Sequence, residues 1–466
     1  MAVVVCRLLP SALLIVRGVE RSALAVFTLS LAFYAPVALW SGVATAAQGD
    51  QPHYLLAANA LAHGSVDLEP EYGSGQFTAL SGTLLGRADI ETHQVLPERG
   101  GRLVQGYALS AVIAPGWAVA GRAGALLVMA LAGALFSVQL LLLCVETVGD
   151  EVASRIAWAL AAFLAPVATL ATVVYPNLIG ALALILVYRW LFSAPVKRPI
   201  AAGLAGAMLL LLTPRDAVAL VALIPFAFAL GRPAVTRFAV TLGVAVLLIS
   251  IADVALYGIA LPYAGYVLGT DAAQRLDGVP SLRPRPDIGL GGMLFDRAFG
   301  LAGSAPWIFL GLAGIGPALR RRRTTLPALT IVVVSLAALS IYRLWEGGWA
   351  PPNRYFVEIL PVWTPFIAFG LRRSGRVLTG FAGALIALGV AVSFLFLAVP
   401  NLEFNDTVSA RVVAALDRIL VLDPLGLLPS FEDASAIGPA LLRSVPLVLA
   451  AAALVLVGLR RARETA

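Results

Sequence analysis

The stretch SALAVFTLSLAFYAPVALWSGVATAA, residues 22–47, is the first apolar run in the chain that is long enough to cross a membrane. A helix needs about 20 consecutive apolar residues to span the hydrocarbon core, and this run contains no charged residue. Similar runs, rich in leucine, alanine and valine, recur along most of the chain. They do not alternate between polar and apolar residues, so they predict membrane helices rather than the strands of a closed barrel.

Composition and charge exclude an ordinary soluble protein. Hydrophobic residues make up 60% of the 466 residues, charged residues make up 13%, and the mean hydropathy is +0.90. Soluble domains carry about a quarter of charged residues. The net charge of +7 comes from arginines in short connectors that alternate with acidic connectors, which is the positive-inside pattern. The charge therefore predicts contact with anionic membrane lipids and no nucleic-acid partner.

The apolar runs predict an all-α polytopic membrane protein, organised as one transmembrane domain over residues 1–466 with both termini in the cytoplasm. Residues 104–120 are interpreted as an interfacial or re-entrant helix, because counting them as a span would invert every later loop. Residues 199–213 and 217–231 are short, and form either two tilted helices or one span with a broken centre. The predicted outer segments are 47–121, 259–299, 343–354 and 400–438. The twelve predicted spans are 22–46, 122–146, 153–174, 178–193, 199–213, 217–231, 238–258, 300–318, 326–342, 355–371, 377–399 and 439–459.

The first outer segment concentrates the ionisable chemistry of the chain. It begins with GDQPHY at residues 49–54, and it contains all three histidines, His53, His63 and His93. Loops on a rigid scaffold are where catalytic groups concentrate. Asp50 can act as a general base toward a hydroxyl, or it can cap a helix that begins at Gln51. His53 and Tyr54 are predicted hydrogen-bonding groups, since the spacing of His53 and His63 does not favour a metal site.

A second constellation is WEGGWAPPNRY at residues 345–355. Glycines and prolines shape the turn, and tryptophans such as Trp349 favour a membrane interface, so an aromatic connector is one interpretation. Arg354 opens the following span at its outer end, where a guanidinium is suited to binding phosphate. Glu346 is expected to pair with that arginine or to hold a cation. We favour a functional site here over a plain connector.

Other ionisable residues lie in or beside the spans. An ion pair between Arg215 and Asp253 is the structural interpretation, and contact of Arg215 with an anionic headgroup is the functional alternative. The segment 259–299 adds four charged residues that the sequence does not rank, namely Asp271, Arg275, Asp296 and Arg297.

Several tracts together resemble the bacterial GT-C glycosyltransferases, the group related to dolichyl-phosphate-mannose mannosyltransferases and aminoarabinose transferases. They are GDQPHYLLA at 49–57, DLEPEY at 67–72, VYPN at 174–177, LTPR at 212–215, MLFDRAFGL at 293–301, and GGW at 347–349 followed by RYF at 354–356. Many members have Asp-Glu where this chain has Asp50-Gln51, which disfavours a metal-dependent variant. The VYPN tract often ends in Glu in the family, and here it ends in Asn177.

The resemblance implies an inverting transfer of a sugar from a polyprenyl-phosphate carrier to an acceptor hydroxyl on the outer face, with Asp50 as the base. The acceptor, whether glycan, lipid or protein, is not specified, no cofactor is implied, and a divalent cation is not favoured. Alanine richness and the preference for arginine over lysine favour a bacterial cytoplasmic membrane. The predicted substrate-binding residues are His53, Tyr54, Arg215, Asp296, Arg297, Glu346, Trp349, Arg354 and Tyr355.

Three alternatives remain open at this stage. A twelve-span secondary transporter has the same plan, but the chain lacks internal repeats and has few charges at mid-membrane depth. A surface-polysaccharide polymerase or ligase also uses lipid-linked sugars, although its largest outer loop is expected late in the chain. A non-catalytic membrane scaffold would follow if Gln51 and Asn177 mark a degenerate enzyme.

Overall fold

The computed structural model describes residues 2–82, 95–96, 101–269, 282, 285–372, 376–405, 411–412, 414–415, 427–431 and 437–464. Within these residues the protein is almost entirely helical, which confirms the predicted all-α architecture. Seven helical stretches are long and apolar enough to cross a membrane, so the chain is a multi-pass membrane protein, while the count of twelve is not confirmed. The seven are Ser22–Ala44, Ala108–Val148, Pro176–Ser193, Arg232–Tyr257, Pro306–Ser340, Arg376–Ala398 and Ile437–Glu464.

The elements follow the apolar runs closely. Short 3₁₀ or π turns extend or join some of the helices, at Arg189–Ser193, Phe228–Leu230, Pro306–Phe309, Leu319–Arg321 and Pro400–Glu403. Strands β1 (Val95–Leu96) and β2 (Arg102–Leu103) pair antiparallel. The helices are α1 Ala2–Ala44, α2 Gln51–Ala62, α3 Glu69–Gly73, α4 Gln76–Ser81, α5 Ala108–Val148, α6 Glu151–Phe163, α7 Val167–Leu170, α8 Pro176–Tyr188, α9 Pro199–Leu212, α10 Pro214–Val221, α11 Ile224–Ala227, α12 Arg232–Tyr257, α13 Pro286–Phe295, α14 Leu301–Ser304, α15 Leu310–Ala318, α16 Arg322–Ser340, α17 Arg354–Leu371, α18 Arg376–Ala398 and α19 Ile437–Glu464.

Helix α5 reverses direction near its first third. The backbone leaves the helical region at Ala120 (φ −143°, ψ 24°) and Gly121 (φ 56°, ψ −138°). A β-carbon added to Gly124 would lie 1.9 Å from the carbonyl oxygen of Gly116. Residues eight apart in a straight helix are separated by about 12 Å, so 108–120 form a helix of their own. The break separates this helix from the span predicted to begin near 122, and its interfacial or re-entrant placement stays a prediction.

The structure corrects two predicted spans at prolines. Over 153–174, helix α6 ends at Phe163 and only the short turn α7 follows, because Pro166 removes a donor and restricts the residue before it. Between α9 and α10, Thr213 is extended (φ −150°, ψ 149°), as expected for a residue before Pro214. The predicted span 217–231 is not one helix either, because α10 ends at Val221 and only α11 and a 3₁₀ turn follow.

Helix α17 forms the centre of the bundle. Every residue from Tyr355 to Gly370 is buried, and the helix packs against α5, α6, α8, α15 and α16. A β-carbon on Gly314 of α15 would lie 1.8 Å from the Phe366 carbonyl oxygen, so the two backbones touch. Close contact through small residues is the usual way in which membrane helices associate. The two ends of α17, at Arg354 and Arg372, are thereby held at fixed positions in the protein.

Candidate active site

Asp50 lies in the short turn between α1 and α2. Gly49 before it has φ +58°, and a β-carbon there would lie 2.0 Å from the Trp349 carbonyl oxygen, so only glycine fits. The cap interpretation of Asp50 is not borne out by the structure, while its role as a base stays a prediction. Its side chain makes no capping hydrogen bond to α2. The carboxylate instead points toward the start of α17.

Arg354 at the start of α17 forms an ion pair with Asp50. The Arg354 Nη1 atom lies 3.1 Å from the Asp50 Oδ2 atom, and the two side chains are 12% and 26% exposed. Gly347 (φ +91°) passes directly over the arginine, since a β-carbon there would lie 2.9 Å from Arg354 Nε. The pair is therefore mostly enclosed but keeps an opening on the side of the carboxylate.

A second arginine, Arg215, lies close to Arg354, and both contact the ring of Tyr355. The Arg215 guanidinium carbon lies 4.1 Å from the Tyr355 ring centroid, and that of Arg354 lies 5.0 Å from it. Arg354 also faces the Tyr175 ring at 5.1 Å, and Arg215 faces the Tyr342 ring at 6.0 Å. Aromatic faces stabilise a cation without removing its charge. Two guanidinium groups are thus held next to one ring while remaining cationic.

A buried polar cluster lies beside Arg215. Asn177 Nδ2 donates to Glu358 Oε1 over 2.5 Å, and Asp216 is buried nearby. A cavity of about 250 Å³ is lined by Arg215, Asp216, Tyr355 and Glu358. Sequence reasoning missed Glu358, although it lies four residues after Arg354, on the same face of the helix. An acid within an apolar segment is by default a functional candidate, and this was the available signal.

Gln51 and Tyr175 hold the turn around Asp50 in place. The Gln51 Oε1 atom accepts from the Val174 amide (3.1 Å), and its Nε2 atom donates to the Gln48 carbonyl (3.3 Å). The Tyr175 hydroxyl donates to the Trp349 carbonyl over 3.0 Å and accepts from the Asp50 amide over 3.3 Å. Gln51 therefore links the first outer loop to the segment before α8.

His53 and Tyr54 are buried on α2, behind Asp50. His53 Nδ1 shares a hydrogen bond of 2.5 Å with the Tyr72 hydroxyl. Burial lowers the pKa of His53 to about 4, with a smaller opposing effect of the Asp50 charge. Burial raises the pKa of Tyr54, as do Tyr266 and the negative charge of Asp50, whereas the positive charges of Arg354 and Arg215 lower it. Both residues stand close to the Asp50 cluster, but neither bonds directly to its side chains in the described part of the chain.

Glu346 and Trp349 belong to the loop that covers Arg354. Burial raises the pKa of Glu346, and the positive charge of Arg354 partly opposes that effect. The Trp349 ring is 46% exposed, and its Nε1 donates to Gln48 Oε1 over 3.1 Å. The structure therefore places Glu346 in the same small pocket as Arg354 and Trp349 at the rim, and the pairing or cation binding expected for Glu346 stays a prediction.

The structure does not bring Asp296 and Arg297 into this cluster. Asp296 Oδ1 accepts from the amides of Ala298 (2.8 Å) and Phe299 (3.0 Å), and Oδ2 accepts from the Phe431 amide (2.8 Å). These bonds join the segment around Asp296 to the segment around Phe431. The Arg297 amide donates to the Pro429 carbonyl over 2.9 Å in the same junction.

Two further predictions concern ionisable residues outside the cluster. The ion pair of Arg215 with Asp253 is not formed among the described residues, where Asp253 Oδ2 accepts from the Ala264 amide. Asp271 and Arg275 lie outside the described residues, as does His93. His63 is exposed and bonds within its own helix, to the Asn59 carbonyl. Within the described ranges no three His, Cys, Asp or Glu side chains form a metal-binding group.

Comparison with known proteins finds few similarities. No protein-family model matches the chain, and no curated protein matches it. Among solved structures, ArnT from Cupriavidus metallidurans in the apo state is 17% identical with a TM-score of 0.46, covering 97% of this chain and 73% of that chain. The same protein bound to undecaprenyl phosphate is 15% identical with a TM-score of 0.46, covering 95% and 76%. Similarity at this level does not indicate the function of this chain. The function is instead inferred from the contacts around Asp50.

Proposed function

We propose that the protein is a membrane glycosyltransferase of the GT-C type, which moves a sugar from a polyprenyl-phosphate carrier to an acceptor hydroxyl with inversion. One observation carries this proposal. Asp50, a partly exposed carboxylate, lies in one cluster with two arginines that both contact the ring of Tyr355. A base and a cationic phosphate site are the two groups that such a transfer needs.

In the proposed step, Asp50 takes the proton of the acceptor hydroxyl as the hydroxyl oxygen bonds to the anomeric carbon. The bond from that carbon to the phosphate oxygen breaks, and the polyprenyl phosphate leaves with the electron pair. The attack comes from the face opposite the phosphate, so the configuration inverts. Binding of the donor phosphate would draw Arg354 from Asp50, so that the carboxylate can accept the proton from the acceptor.

The two arginines supply the charge that the leaving phosphate needs. Arg354 presents a planar fork that matches phosphate oxygens, and Arg215 adds a second cation next to the same Tyr355 ring. Because their charges are already in place, the proposal invokes no divalent cation. The cavity of about 250 Å³ beside Arg215 offers room for part of the donor. Glu358, which lines this cavity, and Asn177, which donates to Glu358, are suited to hydrogen-bond sugar hydroxyls.

The proposal includes the orientation expected from the arginine-rich connectors. The Asp50 site would face the outer side of a bacterial cytoplasmic membrane, with both chain termini inside. There it would meet a lipid-linked donor and an acceptor that is a glycan, a lipid or a protein.

Transfer and donor binding by the purified full-length protein test this proposal. Wild type and Asp50→Asn are given a panel of polyprenyl-phosphate sugars, and donor binding is measured separately so that a missing acceptor does not confuse the result. We expect both proteins to bind at least one donor, and only wild type to transfer the sugar. Failure of wild type to bind any donor would contradict the reaction class, and full turnover in Asp50→Asn would remove Asp50 as the base.

A further inference from the structure

A second and larger cavity lies at the other end of α17. Its volume is about 950 Å³, at the upper end of the roughly 300–1,000 Å³ that small-molecule sites occupy. It is bounded by the ends of α15, α17, α18 and α19. Since α17 has 18 residues, the Arg354 and Arg372 ends lie about 27 Å apart, and the cavity is separate from the candidate active site.

Arginine side chains line this cavity on one side. Two carboxylates stand near them: Asp150, whose Oδ2 lies 3.2 Å from Arg372 Nε, and Glu464 in the cavity wall. Arg321 also donates to the Thr147 carbonyl (2.8 Å), and Arg461 donates to the Gly370 carbonyl (3.2 Å). These hydrogen bonds fix the positions of both side chains in the cavity wall. The five lining arginines are Arg320, Arg321, Arg372, Arg376 and Arg461. The cavity therefore carries a net positive charge.

The rest of the cavity is apolar. Phe369 and Leu454 form its buried floor, and Val377 and Phe381 stand at its mouth with exposed fractions of 90% and 41%. Exposed apolar side chains on a membrane helix face acyl chains. The cavity thus combines arginine side chains with apolar walls, part of which is exposed at Val377 and Phe381.

We propose that this cavity holds an anionic glycerophospholipid, with its phosphate on the arginines and its acyl chains against Phe381 and Leu454. A zwitterionic lipid has no net charge to complement the excess of guanidinium groups over carboxylates in this cavity. A soluble phosphate would leave the apolar floor unoccupied. Basic pockets between membrane helices are known sites for anionic headgroups.

Native mass spectrometry of the full-length protein, delipidated and then titrated with phosphatidylglycerol or phosphatidylcholine, tests the site. The variant Arg320→Gln/Arg376→Gln removes two lining charges. The matched control Arg322→Gln/Arg323→Gln removes two charges from the same arginine cluster without touching the cavity. At about 1 kcal/mol for each arginine, we expect roughly 30-fold weaker phosphatidylglycerol binding in the first variant and little change in the control.

A third variant separates a seated lipid from a diffuse attraction. Ala453→Trp keeps every charge but fills the apolar part of the cavity, and we expect it to weaken phosphatidylglycerol binding as well. Equal losses in the two double variants, unchanged binding in Ala453→Trp, or equal affinity of wild type for phosphatidylcholine would each overturn the proposal. Tighter binding of inorganic phosphate or of polyprenyl phosphate than of phosphatidylglycerol at this site would also overturn it.

Discussion

The two ends of helix α17 carry arginines in very different surroundings. At one end Arg354 is 12% exposed, pairs with Asp50 and faces two tyrosine rings. At the other end Arg372 is 39% exposed and pairs with Asp150 at the edge of a wide, arginine-rich cavity. At the first end, the contacts hold the Arg354 guanidinium in a single position beside one carboxylate. At the second end, several arginine charges are spread over the wall of a wide cavity.

This difference separates two uses of arginine that look alike in a sequence. A guanidinium that is buried against rings and a single acid can bind a phosphate in one defined pose. Several exposed guanidinium groups beside apolar walls attract any anionic headgroup and also orient the helices. We therefore expect chemistry at the Arg354 end and lipid contact at the Arg372 end, and variants at each end distinguish the two.

The largest expected effect is that of Arg354→Ala. Losing the fork that holds the donor phosphate should lower kcat/KM by roughly 10²- to 10³-fold, mainly through a higher KM for the donor. Arg354→Lys keeps the charge but not the fork, so it should recover part of the loss. Steady-state kinetics with the lipid-linked donor measures both. Arg372→Ala is the matched control and should stay within about threefold of wild type; equal losses at both ends would abolish the distinction between them.

The next effect is a pH dependence of stability that comes from His53. In the unfolded chain its pKa is near 6.5, and burial lowers it to about 4 in the fold. The unfolded state therefore takes up the proton first as the pH falls. The contribution to the unfolding free energy is complete above pH 6.5 and shrinks by about 3 kcal/mol as the pH approaches 4.

His53→Gln isolates this contribution, because glutamine can still accept from Tyr72 but does not titrate. Denaturation of both proteins in a mild detergent between pH 7.5 and 4 gives the comparison. We expect the wild-type curve to fall more steeply than that of the variant below pH 6.5. Parallel curves would mean that His53 is not buried in the way described.

A smaller effect is expected for Asn177→Leu. It removes the amide that donates to Glu358, and a buried carboxyl group without that donor costs about 1–3 kcal/mol. Thr364→Val on the same helix as Glu358 is a suitable control, because the Thr364 hydroxyl bonds only to its own helix, at the Leu360 carbonyl. Thermal unfolding should show a loss for Asn177→Leu and almost none for Thr364→Val. Equal stability of the two variants would argue against the buried polar cluster.

The smallest effect is expected for Asp150→Asn at the Arg372 end. The ion pair is partly exposed, with side chains 39% and 29% accessible, and such pairs contribute about 0–1 kcal/mol. Unfolding should shift little and turnover should not change. A loss of turnover comparable to that of Arg354→Ala would show that the two ends are coupled.

Much of the candidate site was predictable from the sequence. Asp50, Arg215, Arg354 and Tyr355 were singled out from three separate tracts, and the structure brings them together. The order of apolar runs and polar loops is sufficient to select these residues. A charged group at the end of a span avoids the lipid and therefore faces a polar cavity or another charged group. That tyrosine rings would hold both arginines could not be read from the sequence, because it depends on how α10 and α17 pack.

The errors have physical causes as well. Asp296, like Asp50, is an aspartate in a loop beside a span. Its carboxylate oxygens, however, accept hydrogen bonds from backbone amides, one nearby at Ala298 and one distant at Phe431. Glu358 was overlooked because one acid within a long apolar run changes its mean hydropathy little. Apolar composition alone predicts continuous spans over 153–174 and 217–231, because it does not show where a helix is interrupted, as α6 is before Pro166.

The central claim is that Asp50 is the base beside a phosphate site, and the split between chemistry and binding in Asp50→Asn tests it most directly. Single-turnover transfer and donor affinity are measured on the same preparation. We predict that the rate falls by about 10²- to 10⁴-fold while donor affinity stays within about threefold of wild type. An unchanged rate, or a loss of affinity as large as the loss of rate, would contradict the account.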